Sequence, residues 1–280
     1  MLRLLERNIA SIGERLVLLA PPDTDLPEYF RNVTIDSSRR RELVAEMQRL
    51  RGSIYLHDGA LQSDQLSPDG AHQTPEDQKS WHLLMLDKQQ RVSSCVWYLE
   101  HENTISPDQL RVKNCPLGRQ DEWNTKLSDA VESELGRARS ARLRYAEVGG
   151  WAVSKRSRCT SEGLLLALGA YSLGRVLGGA LGITTATTRH SSSTILRRLG
   201  GSPLEVGGLH LPSYYDSKYA CEMELLRFDS RRVDKKYVGL VELLRDKLEH
   251  VSVIAAGASA TARSVDRAFA ASFAQPQFAA

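Results

Sequence analysis

Residues 144–179 read RYAEVGGWAVSKRSRCTSEGLLLALGAYSLGRVLGG. The first ten are strand-like. Tyr145, Val148, Trp151 and Val153 are β-formers and no proline interrupts them. A polar turn follows over 154–161, carrying Lys155, Arg156 and Arg158. An apolar helix then starts near Glu162, with Leu164, Leu165, Leu166, Leu168, Tyr171, Leu173 and Val176. Strand, basic turn and helix N-terminus in succession are a physical recipe for holding a phosphate. The first helical turn has backbone N–H groups without intrahelical partners, and its dipole favours an anion.

The elements outward from this stretch set its context. Residues 2–20 are weakly helical up to Pro21-Pro22 and read as an arm or an added strand. A helix is predicted over 37–50, capped by Ser37 or Ser38, with Leu43, Met47 and Leu50 on one face. Residues 63–80 read as a polar loop. A hairpin joins 81–86 to 92–99 across Asp87-Lys88-Gln89-Gln90-Arg91. A charged amphipathic helix is expected over 125–141. Beyond the central stretch come a strand at 183–188, a short helix at 192–199, a strand at 219–228 and a helix at 234–250. The Ala- and Ser-rich tail from Ala255 carries Phe269, Phe273 and Phe278. This order predicts an α/β (α+β) chain with a mixed central sheet flanked by helices. It divides into an N-terminal arm (1–36), a main domain (37–230) and a C-terminal helix with tail (231–280).

The 280 residues are 41% hydrophobic and 25% charged, which suits a globular chain able to bury a substantial core. The net charge of +3 permits an anionic ligand without demanding nucleic acid, and no nucleic-acid-reading motif is present. The four cysteines, Cys95, Cys115, Cys159 and Cys221, lack the spacing of a zinc site, so no metal is expected. Reduced thiols and no secretory signal or membrane-spanning stretch imply a cytoplasmic protein.

Arg158-Cys159-Thr160-Ser161-Glu162-Gly163, in its strand–turn–helix setting, resembles the Arg/Gln-x-x-Gly-x-Gly/Ala turn of the GNAT superfamily of N-acyltransferases. Ser161 stands where the first glycine would be. The 184–187 strand, the short helix and Leu199-Gly200 extend the resemblance. It implies a GNAT-like fold and transfer of an acyl group to an amine. The donor would be acyl-CoA (acetyl-CoA included) or the acyl-phosphopantetheine of an acyl carrier protein. The turn residues Arg158, Cys159, Thr160, Ser161, Glu162 and Gly163 would hold its phosphate, and Trp151, Ala152 and Val153 would pair with its pantetheine. A narrower resemblance lies in Glu147-Val148-Gly149-Gly150-Trp151-Ala152-Val153. It is similar to the Glu-x-x-Arg-Phe-x-Val strand of acyl-homoserine-lactone synthases and long-chain N-acyl amino acid synthases, with Gly150 in place of their arginine.

Acyl transfer to an amine needs a route for the amine's proton. Glu147, on the central strand just before the turn, is the candidate base; its ordinary alternative is a structural partner for Arg142 or Arg144. His190, just after the second strand, is the candidate assistant; its ordinary alternative is a polar loop residue. Many GNAT enzymes place a tyrosine acid where this chain has Leu196. That departure keeps open a degenerate domain that binds without turnover. Arg39–Arg41, and Arg231-Arg232 with Lys235-Lys236, suit an acidic carrier protein, although such runs are more often plain solvated surface.

Overall fold

The structure is a computed structural model and describes residues 2–22, 24–102, 104–158 and 160–257. Cys159 and the tail phenylalanines lie outside the described residues. In chain order the elements are α1 (Leu2–Ala10), β1 (Leu16–Leu19), β2 (Val33–Ile35), α2 (Ser37–His57), β3 (Trp81–Leu86) and β4 (Val92–His101). There follow α3 (Asp121–Ser140), β5 (Arg144–Val153), α4 (Glu162–Val176), β6 (Ala180–Thr187) and α5 (Ser192–Leu199). Short strands β7 (Ser202–Pro203), β8 (Glu205–Val206), β9 (Leu209–His210) and β10 (Tyr214–Asp216) precede β11 (Cys221–Asp229), α6 (Val238–Leu248) and β12 (Ser252–Ala255).

A ten-stranded mixed sheet runs in the order β10-β11-β6-β5-β4-β3-β1-β12-β2, with β7 beside β11. β5 pairs parallel with β6, and β12 pairs parallel with both β1 and β2. Segment 1–36 thus supplies β1 to the interior of the sheet, and segment 231–257 supplies β12 beside it. Residues 81–86 are buried on both faces, which is why they read as a continuous apolar run. Leu83 and Met85 pack with α1, α4 and α6; Leu84 and Leu86 pack with α2. A third cluster joins α3 to Tyr145, Leu181, Ile183, Met223 and Leu225. Helices therefore cover both faces. None among the described residues is long and apolar enough to cross a membrane.

The helix predicted over 37–50 runs on to His57, and its cap is Asp36 rather than a serine. The Asp36 carboxylate accepts from the Arg39 amide at 2.8 Å, which leaves Ser37 and Ser38 inside the first turn.

Glu100 on β4 makes the fold pH-sensitive. Burial pushes its carboxyl up to about 7, with Glu102 adding and Arg144 opposing, and Oε1 has no hydrogen-bond partner. The unfolded group ionises near 4.5, so from there to about 7 the folded chain holds a proton that the unfolded chain has lost. Stability must fall as pH rises through that window, by up to about 3 kcal/mol from this group. Urea unfolding at pH 5 and pH 8 should show that loss in the parent and a smaller one in Glu100→Gln. Equal losses would remove Glu100 as the cause.

Candidate functional site

β5 and β6 are in register from Arg144↔Ala180 to Val148↔Thr184 and then part. The cause is local. Between β4 and β5 the register shifts where Trp97 stands opposite Gly149. Gly150 adopts φ +64°, a left-handed conformation that glycine enters without a Cβ penalty. The Trp97 indole lies against both glycines: a Cβ on Gly149 would stand 2.4 Å from Cζ2, and one on Gly150 2.3 Å from Cδ1. The irregularity at Gly149 and Gly150 is therefore a bulge moulded on Trp97. A cavity of about 940 Å³ opens where the strands separate.

The basic turn sits at the mouth of this cavity. Trp151, Ala152, Val153, Arg158, Thr160 and Gly163 line it. Ser161 and Glu162 do not. Ser161 accepts from Asn8 Nδ2 at 2.6 Å. The Glu162 carboxylate pairs with Arg15 and accepts from Ser93 Oγ at 3.0 Å and Ser94 Oγ at 3.2 Å. Burial pushes that carboxyl up, but bonds from Arg15, Ser157 and Ser93 and the Arg15 charge outweigh it and hold it below the ordinary range. These two residues fasten the turn to the N-terminal segment. Thr160 Oγ1 donates to Ser157 O at 2.6 Å and accepts from the Glu162 amide at 3.2 Å, so it ties the turn to the first residue of α4. The Trp151 ring packs on Gly163, where a Cβ would approach within 3.1 Å.

Opposite the turn lies the end of β6. His190 lines the cavity with more than half its side chain exposed. Its Nε2 is 3.6 Å from Asp58 Oδ2, and Arg158 Nη2 donates to the same oxygen at 2.5 Å.

Glu147 is elsewhere. It is buried and absent from the cavity lining. Its Oε1 accepts from the Val112 amide at 3.1 Å, and Oε2 from the Arg111 amide at 3.1 Å. His101 Nε2 is 3.0 Å from Oε2. A carboxylate held by two amides and an imidazole on the α3 side of the sheet is an anchor for the 111–114 turn. Its partners are these groups, not the Arg142 or Arg144 weighed from the sequence. What the anchor fixes is Arg111, whose guanidinium lies 5.7 Å from the Trp97 ring centroid and donates to Tyr219 Oη at 3.2 Å.

Four cavity residues had no prominence in the sequence: Arg51, Asp58, His72 and Arg111. Arg51 carried one signal, since it falls four residues after Met47 on the apolar side of α2. It is fully buried and bonded to Asp77 at 2.8 and 2.6 Å. Burial pushes the Asp77 carboxyl up, and the Arg51 bond and charge more than reverse that. His72 is buried, with Nδ1 unpartnered. Burial pushes its ring down to about 4, helped by Arg51 and Lys218, so it is neutral at pH 7. Burial also pushes the Tyr55 phenol far up, and its Oη donates to Trp151 O at 3.3 Å.

No protein-family model and no curated protein matches the chain. Solved structures do. A CoA-dependent acyl-homoserine lactone synthase, BjaI, with SAM and isopentyl-CoA is 14% identical; the match covers 91% of this chain and 99% of that one, with a TM-score of 0.52. The same synthase with MTA gives 14%, 91%, 99% and 0.51. FeeM, an N-acyl amino acid synthase from uncultured soil microbes, is 10% identical over 71% of this chain and 89% of its own, at a TM-score of 0.44. With its strand order, its parting of β5 from β6 and the turn that opens α4, the chain has a GNAT-like fold.

Proposed function

We propose that this chain transfers an acyl group from a phosphopantetheine thioester, acyl-CoA or acyl carrier protein, to an amine. One observation carries the reading. The parallel strands β5 and β6 part at Val148 and Thr184 directly beside a basic turn that opens a helix, and a single cavity joins the two features. Extended backbone on the parted strands offers pairing to the pantetheine amides, and Arg158 with the α4 N-terminus offers charge to the phosphates. The wall formed by Leu164, Ala167, Ala170, Ile195, Leu196 and Phe228 is apolar and suits an acyl chain. Backbone N–H groups at the Gly149–Gly150 bulge are the candidates to polarise the thioester carbonyl.

On the acceptor side, Arg111, Arg119 and Lys218 face the cavity. An amine bearing a carboxylate fits them best, in keeping with long-chain N-acyl amino acid or homoserine-lactone-type synthesis. In this reading Glu147 acts by holding Arg111, and His190 stays near the donor phosphates. A second reading, binding without turnover, draws on Leu196 at the tyrosine position and on the commitment of Glu147 to two amides.

Thermal stabilisation by acetyl-CoA, octanoyl-CoA and acyl carrier protein tests the donor, and thiol release with a panel of amino acids tests transfer. Arg158→Ala is expected to weaken CoA binding about tenfold, as loss of one charge-assisted phosphate contact does. No stabilisation by any donor would sink the acyltransferase reading. Stabilisation without thiol release would favour the second.

A further inference from the structure

Three segments far apart in the chain converge on one carboxylate at the cavity mouth. Asp58 caps the C-terminus of α2. Its Oδ2 takes the Arg158 guanidinium at 2.5 Å and stands 3.6 Å from His190 Nε2. Arg189 donates to the Asp58 carbonyl and, at 2.6 Å, to the carbonyl of Ala220. The backbone around this knot is strained. His190 (φ 55°), Ser191 (φ 61°) and Ala220 (φ 47°) all lie in the left-handed region without being glycine. Such conformations persist only where surrounding contacts hold them, and here Arg189 bridges both sites.

We infer that Asp58 occupies the seat of a donor phosphate, and that the incoming donor displaces it from Arg158. The inference rests on the acyl-CoA reading above. A guanidinium fork accepts carboxylate and phosphate by the same geometry. Arg158 belongs to the turn at which the diphosphate would lie, so its carboxylate partner is an internal mimic of that ligand. Phosphate and carboxylate cannot share the position, because like charges at contact distance repel strongly in a partly buried mouth. The exchange needs only a side-chain rotation. Arg189 keeps its hold on the Asp58 carbonyl throughout, so the end of α2 stays in place while the carboxylate swings out. The device has a consequence for selectivity. A phosphate-bearing donor displaces Asp58, whereas a bare pantetheine thioester has nothing to offer Arg158 in exchange. The cost of opening lowers the apparent affinity for every phosphate-bearing donor by a fixed factor.

Calorimetric titration of CoA and of pantetheine into the parent, Asp58→Asn, Arg158→Ala and the double variant tests this. Asp58→Asn keeps the size of the cap residue and removes its charge. It should tighten CoA roughly tenfold, leave pantetheine unchanged, and lose the gain when Arg158 is also alanine. If Asp58→Asn binds CoA no better than the parent, Asp58 orients Arg158 instead of competing for it, and the inference is overturned. A gain that persists without Arg158 overturns it too, since the effect is then one of general charge. CoA binding by the parent that fails only in this comparison leaves the acyltransferase reading standing. No CoA binding by any of the four proteins removes both.

Discussion

Asp77→Ala is expected to cost about 3–5 kcal/mol of folding stability, the usual penalty for leaving one member of a buried ion pair alone. Arg51 and Asp77 are both fully buried. The Asp77 carboxylate takes Arg51 Nη1 and Nη2, Gln48 Nε2 at 2.9 Å and the Thr74 amide at 2.9 Å. Its own carbonyl lies 2.8 Å from His82 Nε2. Truncation would leave a buried guanidinium with only the His72 carbonyl, 2.5 Å away, as an oxygen partner. The 72–77 segment would lose its tie to α2 at the same time, and His72 and Thr74 both line the cavity. Donor binding should therefore weaken along with stability. Urea unfolding gives the cost directly. Arg51→Met combined with Asp77→Leu should recover most of it, because replacing both charges removes the stranded ion. A loss under about 1 kcal/mol in the single variant would mean that water reaches Arg51.

What could be read from the sequence was local. The 192–199 helix has the bounds expected of it, because a serine run opens it and Gly200, at φ +119°, closes it. The basic turn was legible for the same reason: strand, charge and helix follow one another without a gap. β1 and β12 were not legible. Each has four residues, too few to show a period, and each is defined by a parallel neighbour from the other end of the chain. The cavity wall made by Arg51, His72, Arg111 and Tyr219 was hidden in the same way, since these residues come from four separate segments. Glu147 could have been placed. Alternation along β5 sets it on the face of Tyr145, under α3, and not on the face of Ala146, under α4. Proximity to the turn in sequence made it a candidate base, whereas the pleat sets its carboxylate on the Arg111 and Val112 amides.

Gly150→Arg, which restores the arginine of the strand it resembles, is expected to destabilise the chain by at least about 3 kcal/mol. Three costs add. The residue sits at φ +64°, where any side chain is strained. A Cβ there would stand 2.3 Å from Trp97 Cδ1 and 2.6 Å from its Nε1, contacts that the buried indole cannot relieve without moving the bulge. The third cost is charge. The same Cβ would lie 3.1 Å from Arg51 Nη1, so α2 already delivers a guanidinium to the place that the strand leaves bare. A second cation would share Asp77, the one carboxylate that Arg51 uses. Gly150 and Arg51 therefore belong to one arrangement, in which the missing side chain makes room for the buried one. Gly150→Ala should carry the strain and the clash without the charge. It should fall between Gly150→Arg and the parent, and Trp97→Phe should relieve part of its loss. Denaturant midpoints for these four proteins, read beside CoA affinity, separate the contributions. A Gly150→Arg protein as stable as the parent would show that Trp97 and Arg51 yield, and that the bulge is not built around them.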